Sequence, residues 1–175
     1  MSIEELLDRN IRDIPDFPKK GVMFKDITPI MQNPLVVTSA IKEIIKQVKA
    51  WDVQAVAGIE SRGFLFGIPL AVMLGVPFIM IRKEGKLPYQ TIAQSYALEY
   101  GTATIEMHID ALKKGDRVLI HDDVLATGGT AEAAAKLINQ VGQTVGFSFI
   151  MDLAFLDGKK RLEGYSKNIS SLIAY

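Results

Sequence analysis

Apolar residues recur along this chain with two spacings, one typical of helices and one typical of strands. A helix is predicted to begin at Asn33-Pro34, which is a helix cap followed by proline at the first helical position. Its apolar residues lie on one face and are Val37, Ile41, Ile44, Ile45 and Val48. Beyond it the pattern predicts helices over 63–74 and 130–141 and strands over 53–59, 77–82, 95–100, 103–109, 117–121, 144–151 and 169–173. Several of these strands are apolar throughout, which is typical of strands covered on both faces. The sequence therefore predicts an α/β fold, with a mostly parallel twisted sheet flanked by helices.

The N-terminal part has a different pattern. Ser2-Ile3-Glu4-Glu5 is a capping box and predicts a short helix. Prolines and a glycine interrupt residues 11–33, which we expect to be irregular. With 175 residues, the chain is long enough for one domain with a sizeable core, and we expect a single domain over 1–175.

Composition excludes several classes of function. Twenty basic residues balance twenty acidic ones, so we expect no nucleic-acid partner. The absence of cysteine excludes thiolate metal sites and is consistent with a cytoplasmic protein. The uncharged stretch 64–81 contains two glycines and two prolines, so it predicts a buried helix followed by a buried strand, with no membrane partner.

The strongest chemical signal follows the predicted strand 117–121. Two glycines there permit backbone angles at which successive N–H groups converge on one anion, in the run Ala126-Thr127-Gly128-Gly129-Thr130. The helix that begins near Thr130 directs its positive end to the same place. Adjacent carboxylates at Asp122 and Asp123 suit ribose hydroxyls. The alternative is a solvated acidic turn before a glycine-rich loop.

This segment resembles the signature of the type I phosphoribosyltransferases, a strand, two acidic residues and a TGGT-like loop. The resemblance implies that Asp122 and Asp123 bind the ribose of phosphoribosyl pyrophosphate. It assigns the 5′-phosphate to Ala126, Thr127, Gly128, Gly129 and Thr130.

Three further segments are similar to the adenine-specific members of that family. Residues 15–29 resemble their N-terminal hood, which gives a hood and helix over 1–33 and a core over 34–175. Residues 60–67 resemble their pyrophosphate loop, in which we expect a cis peptide near Glu60-Ser61-Arg62. Residues 82–88, with 98–101, resemble a mobile loop and its returning strand, and we expect mobility over 82–96. Lys25 departs from the arginine common at its position, and His121 replaces an apolar residue.

The resemblance implies roles for the remaining site residues, and each has a simpler alternative. Pyrophosphate is assigned to the basic side chains Arg62, Arg82, Lys83 and Lys86. The alternative for Arg62 is that it caps a neighbouring element, and the alternative for the other three is a solvated basic loop. Adenine is assigned to Met23, Phe24 and Lys25, of which Phe24 would by default belong to the core. The expected catalytic residues are Glu99, Arg62 and Lys86, with Glu99 handling a proton unless it is simply an exposed strand residue.

The expected reaction joins adenine to the ribose phosphate, giving AMP and pyrophosphate. The expected cofactor is Mg²⁺ carried on the substrate, with no direct protein ligand required, Asp122 being the one candidate. The family implies a homodimer. Two alternatives stay open: a transferase for another base, and a regulator that only senses phosphoribosyl pyrophosphate.

Overall fold

The computed structural model describes residues 1–97 and 101–175. Its helices are α1 (Ile3–Asp8), α2 (Thr28–Met31), α3 (Pro34–Val48), α4 (Gly63–Leu74), α5 (Gly129–Ile138) and α6 (Gly158–Leu162). Its strands are β1 (Arg12–Pro15), β2 (Met23–Asp26), β3 (Ala55–Ile59), β4 (Phe78–Lys83), β5 (Thr91–Ala97), β6 (Thr102–His108), β7 (Arg117–Leu125), β8 (Gln143–Asp152) and β9 (Ile169–Ala174). Among the described helices, none is both long enough and apolar enough to cross a membrane.

The main sheet has seven strands in the order β5-β6-β4-β3-β7-β8-β9. The pairs β4–β3, β3–β7, β7–β8 and β8–β9 are parallel, whereas β6 runs antiparallel to β4 and β5. The predicted α/β architecture is therefore confirmed. The parallel strands end at one edge, which brings together the residues that follow β3, β4 and β7.

Alternation along the central strands divides the core into two layers. Ala55, Ala57 and Ile59 of β3 pack in the cluster that contains α5. Val56, between them, belongs to the cluster that contains α1, α3 and α4. Because successive strand side chains point to opposite faces, helices are needed on both sides of this sheet.

The prediction that 11–33 is irregular was wrong. Strands β1 and β2 pair antiparallel as a separate two-stranded sheet, and α2 follows. The connection between them contains a cis Phe17–Pro18 bond and Asp16 at φ 57°. Pro15 lies at the end of β1 and Pro18 in this connection, so they do not interrupt the pairing, and Pro29 lies in the first turn of α2, where proline is tolerated.

Part of the range 82–96, for which mobility stays a prediction, forms regular structure. Residues 91–97 form β5, which is paired with β6 along its whole length. The segment without regular structure is confined to 84–90. The sequence missed this boundary because β5 is an edge strand of mixed polarity, with little buried surface to mark it.

Candidate active site

Three adjoining cavities lie at the carboxyl edge of the main sheet. The central cavity, about 550 Å³, is lined by Ile59, Glu60, Ser61, Arg62, Lys83, Lys86, Tyr96, Asp122, Asp123 and Thr130. The loop pocket, about 80 Å³, is lined by residue 122 and residues 124–131. The hood cavity, about 350 Å³, is lined by Ile14, Phe17, Phe24, Lys25, Asp26, Ile27, Thr28, Arg62 and Asp123. The central cavity shares residues with both of the others, so the three form one cleft.

The two aspartates lie within β7, which continues to Leu125 and pairs there with β8. The predicted strand over 117–121 therefore ended four residues too early. Asp123 is buried and Asp122 is half-buried. Burial, and secondarily the neighbouring Asp123 charge, raise the pKa of Asp122 well above its usual range. The carboxylates therefore form part of the floor of the cleft.

Arg62 bridges the central and hood cavities. Its Nε donates to Oδ2 of Asp123 at 2.5 Å, and its side chain is 52% exposed. It directly precedes α4 and is the N-cap residue of that helix. A guanidinium fixed at one nitrogen and open to solvent elsewhere suits the binding of an anion. The peptide bond Glu60–Ser61, two residues earlier, is cis, as predicted.

The basic turn 82–86 folds over Glu60. Arg82 and Lys86 both form ion pairs with its carboxylate, at 3.3 and 3.0 Å. Lys83 and Lys86 line the central cavity, whereas Arg82 is not among its described lining residues. Although burial raises the pKa of Glu60, the hydrogen bonds from Lys83 N, Lys86 and Arg82 outweigh it and lower the pKa to about 2. Of the predicted pyrophosphate residues, the structure thus brings three to the cavity wall.

The glycine-rich loop has the geometry expected of an anion site. Gly128 adopts φ 77°, in the left-handed region, and α5 begins at the next residue. The loop packs against Gly158, the first residue of α6, so closely that a Cβ on Gly158 would lie 2.2 Å from the carbonyl oxygen of Ala126. Gly158 is thus a supporting residue that no local sequence signal indicated, since it lies 28 residues further along the chain than Thr130.

The predicted adenine residues lie on β2, between two cavities. Phe24 and Lys25 line the hood cavity. Met23 instead lines a cavity of about 370 Å³ on the other side of β2, next to Leu153, Phe155 and Tyr175. The Nζ atom of Lys25 lies 2.7 Å from Oδ1 of Asp13 and 3.8 Å from the centroid of the Tyr175 ring. The charge of Lys25 is therefore already paired within the protein.

Glu99 lies outside the described residues, so its predicted catalytic role stays a prediction. Glu60 and Tyr96 are among the residues lining the central cavity to which no role was assigned from the sequence. Glu60 follows a strand, but no local pattern indicates that this strand is the neighbour of the one that carries Asp122. The hydroxyl of Tyr96 accepts a hydrogen bond from Thr130 Oγ1 at 3.4 Å. That contact joins β5 to the glycine-rich loop and has no local signature.

His121, directly before the aspartates, is fully buried, and its Nδ1 lies 2.8 Å from Ser148 Oγ. Burial lowers its pKa from 6.5 to about 4. Between these values the unfolded chain binds more protons than the folded one, so stability present above pH 6.5 should be lost as the pH falls to 4. The loss from this histidine should reach about 3 kcal/mol.

The double variant His121→Leu/Ser148→Ala removes this titration without leaving an unpaired hydroxyl partner. Urea unfolding at several pH values should therefore show a shallower loss of stability between pH 6.5 and 4 than in the wild type. Parallel curves for the two proteins would contradict the assignment.

Comparisons with known proteins agree with this geometry. Residues 24–171 match the phosphoribosyl transferase domain family. The chain is 51% identical over 174 residues to the adenine phosphoribosyltransferase of Cytophaga hutchinsonii, covering 99% of this chain and 96% of that protein. Adenine phosphoribosyltransferase from Thermoanaerobacter pseudethanolicus superposes with a TM-score of 0.93 at 48% identity, covering 98% of this chain and 99% of that chain. The Trypanosoma brucei enzyme, in complex with AMP, pyrophosphate and ribose-5-phosphate, superposes with a TM-score of 0.89 at 26% identity, covering 99% and 80%.

Proposed function

This chain belongs to the phosphoribosyltransferase family, among the adenine phosphoribosyltransferases, and from this premise we propose that it transfers the phosphoribosyl group of phosphoribosyl pyrophosphate to adenine. The products are AMP and pyrophosphate, a reaction of purine salvage. The bond from ribose C1 to a pyrophosphate oxygen breaks, a bond from C1 to the adenine imidazole nitrogen forms, and that nitrogen loses its proton.

One observation carries this proposal: the order of the three cavities matches the order of the groups in the reactants. The loop pocket lies at the N-terminal end of α5 and contains the left-handed Gly128, which suits the 5′-phosphate. The central cavity is lined by the carboxylates of Asp122 and Asp123 and by the cations Arg62, Lys83 and Lys86, which suits a ribose joined to pyrophosphate. The hood cavity has the aromatic side chains Phe17 and Phe24, in T-shaped contact at 5.1 Å, and suits a planar base.

The protein's main catalytic contribution is electrostatic. As the bond to C1 breaks, negative charge builds on the leaving pyrophosphate and positive charge on the sugar ring. Arg62, Lys83 and Lys86 face the leaving group from the cavity wall, while Asp122 and Asp123 hold the ribose hydroxyls. Asp123 also fixes Arg62, so one ion pair orients both sides of the breaking bond.

The residues of the central cavity fit a magnesium ion that arrives on the substrate. Among the residues described, no group of three or more His, Asp or Glu side chains forms a metal cage. Mg²⁺ commonly binds through one or two carboxylates together with substrate phosphates, and Asp122, which lines this cavity, would supply such a carboxylate. When bound, the ion neutralises charge on the pyrophosphate oxygens.

Adenine is selected by the main chain of the hood near Met23, with Phe24 stacked on the base. Adenine presents an acceptor at N1 and a donor at its 6-amino group, whereas hypoxanthine presents the reverse pair. Inverting a buried donor–acceptor pair costs about 1–3 kcal/mol for each unsatisfied group. Because Lys25 is already paired with Asp13, its side chain is not needed to recognise the base, which supports recognition by the main chain.

Two further roles complete the proposal. Glu99 handles the proton of the adenine imidazole or stabilises the cationic ring. The segment 87–90, beyond the turn, closes over the cleft and excludes water, which would otherwise hydrolyse the activated sugar. A cytoplasmic location, expected from the composition, stays a prediction.

The function is tested by offering labelled adenine, hypoxanthine and orotate separately, with phosphoribosyl pyrophosphate and Mg²⁺. We expect transfer to adenine, with a kcat/KM at least about 100-fold above that for hypoxanthine. The variants Met23→Leu and Lys25→Ala should retain this ratio. Comparable use of the two bases by either variant would mean that a side chain reads the base. Binding of phosphoribosyl pyrophosphate without transfer to any of the bases would favour the regulator.

We further propose a homodimer. One face of α4 exposes Leu65, Ile68, Val72 and Met73, and Met80 of β4 is also exposed. Apolar side chains at this helical spacing form a stripe that usually faces a partner. Sedimentation velocity should give the mass of two chains, and a monomer at micromolar concentration would contradict the proposal.

A further inference from the structure

Glu60 is the most highly connected carboxylate of the site. It follows β3, its side chain is only 10% exposed, and it receives hydrogen bonds from three residues of the basic turn. Lys86 Nζ donates to Oε1 at 3.0 Å, and the backbone N–H of Lys83 donates to Oε2 at 3.0 Å. Arg82 donates to both oxygens, at 3.3 and 3.4 Å. The carboxylate of Glu60 thus occupies hydrogen-bond donors of the turn that could otherwise bind an anionic ligand.

The two cations paired with Glu60 differ in how firmly they are held. All three guanidinium nitrogens of Arg82 donate to protein oxygens, the third to the carbonyl of Lys86 at 3.1 Å. Lys86 makes one described contact to Glu60, is 49% exposed and lines the central cavity. An anion that enters the cavity can therefore displace Glu60 from Lys86 more easily than it can displace Glu60 from Arg82.

The backbone of the turn is held by a second carboxylate. Glu106, on the neighbouring strand β6, accepts a hydrogen bond from the N–H of Gly85. Arg82 and Lys83 are also paired in register with Glu106 and Ile105. These contacts keep the turn in place when Lys86 changes its partner.

We propose that Glu60 is a positioning residue that pairs with Lys86 until the pyrophosphate group replaces it, while Arg82 remains on Glu60. This inference rests on the proposed function, because it takes pyrophosphate as the competing anion. It assigns Arg82 to holding the turn and Lys86 to binding the leaving group. The affinity for pyrophosphate is then reduced by the energy needed to break the contact between Lys86 and Glu60.

The test is the isosteric variant Glu60→Gln, which removes the charge and keeps the shape. Calorimetry with Mg²⁺ and pyrophosphate should show binding about tenfold tighter than in the wild type, the lower limit for one hydrogen bond to a charged group. Without pyrophosphate, trypsin should cleave after residues 82, 83 and 86 faster than in the wild type. A residue with only a structural role would give weaker binding with faster cleavage.

Two controls separate charge from shape and from general effects. Glu60→Asp keeps the charge and should not tighten pyrophosphate binding. Glu43→Gln breaks the surface ion pair with Lys46 on α3 and should change neither readout. If Glu60→Gln binds pyrophosphate no tighter than the wild type, or is cleaved no faster, the inference is wrong. If the wild type binds neither pyrophosphate nor phosphoribosyl pyrophosphate, the proposed function fails instead.

Discussion

Replacing Asp123 with asparagine is expected to lower kcat/KM for phosphoribosyl pyrophosphate by at least about 100-fold while the protein still folds. The substitution keeps the shape of the side chain but removes the charge that holds Arg62 at 2.5 Å and that we propose faces the ribose. Arg62 is half-exposed, so water can hydrate it once its partner is lost. The stability cost should therefore stay near 1 kcal/mol, well below that of breaking a fully buried pair.

Steady-state kinetics with varied phosphoribosyl pyrophosphate, alongside thermal unfolding, measures both effects. Asp116→Asn is the matched control, because Asp116 directly precedes the same strand at its opposite end. It should keep near-normal activity. The double variant Asp122→Asn/Asp123→Asn should lose at least as much activity as Asp123→Asn alone. A folded Asp123→Asn enzyme with full activity at low substrate would exclude Asp123 as a ribose ligand.

The second large effect is expected at Gly158, which lies far from the signature in sequence. An alanine Cβ there would lie 2.2 Å from the carbonyl oxygen of Ala126 and 3.1 Å from the backbone nitrogen of Gly128. Both are backbone atoms of the glycine-rich loop and cannot move aside as a flexible side chain would. The loop must therefore shift, which should disturb the site that we propose for the 5′-phosphate. We expect KM for phosphoribosyl pyrophosphate to rise more than about tenfold, with about 1–3 kcal/mol of destabilisation.

Gly164→Ala provides the control for Gly158→Ala, since a Cβ at Gly164 would meet no heavy atom within 4 Å. It should leave KM unchanged. In Gly128→Ala the added Cβ would lie 2.8 Å from the carbonyl oxygen of Gly158, so the loop would again be pushed away from α6. This substitution also adds backbone strain, because Gly128 has φ 77°. It should raise KM at least as much. An unaltered KM in Gly158→Ala would show that α6 does not shape the loop.

Local patterns in the sequence determined much of this protein. Strands β3, β7 and β8 were predicted from their apolar runs, and α3 from the helical spacing of its apolar residues. Both patterns reflect which residues are buried, and they can be recognised from residues close together in the chain. The cap at Asn33 and the capping box at Ser2 are confirmed for the same reason. The glycine-rich loop was also predictable, because glycines and hydroxyls before a helix suit an anion whatever the rest of the fold.

Only the tertiary structure decided which groups face each other. Glu60, Asp122 and Lys83 meet because β3 lies between β4 and β7, an order that no local pattern encodes. The pairing of Asp123 with Arg62, the pairing of Glu60 with Arg82 and Lys86, and the contact of Gly158 with Ala126 join residues 22 to 61 positions apart. Such contacts depend on the packing of several elements at once. The sequence therefore determined the chemical groups available to the site, and the packing of the sheet and its helices determined their partners and protonation.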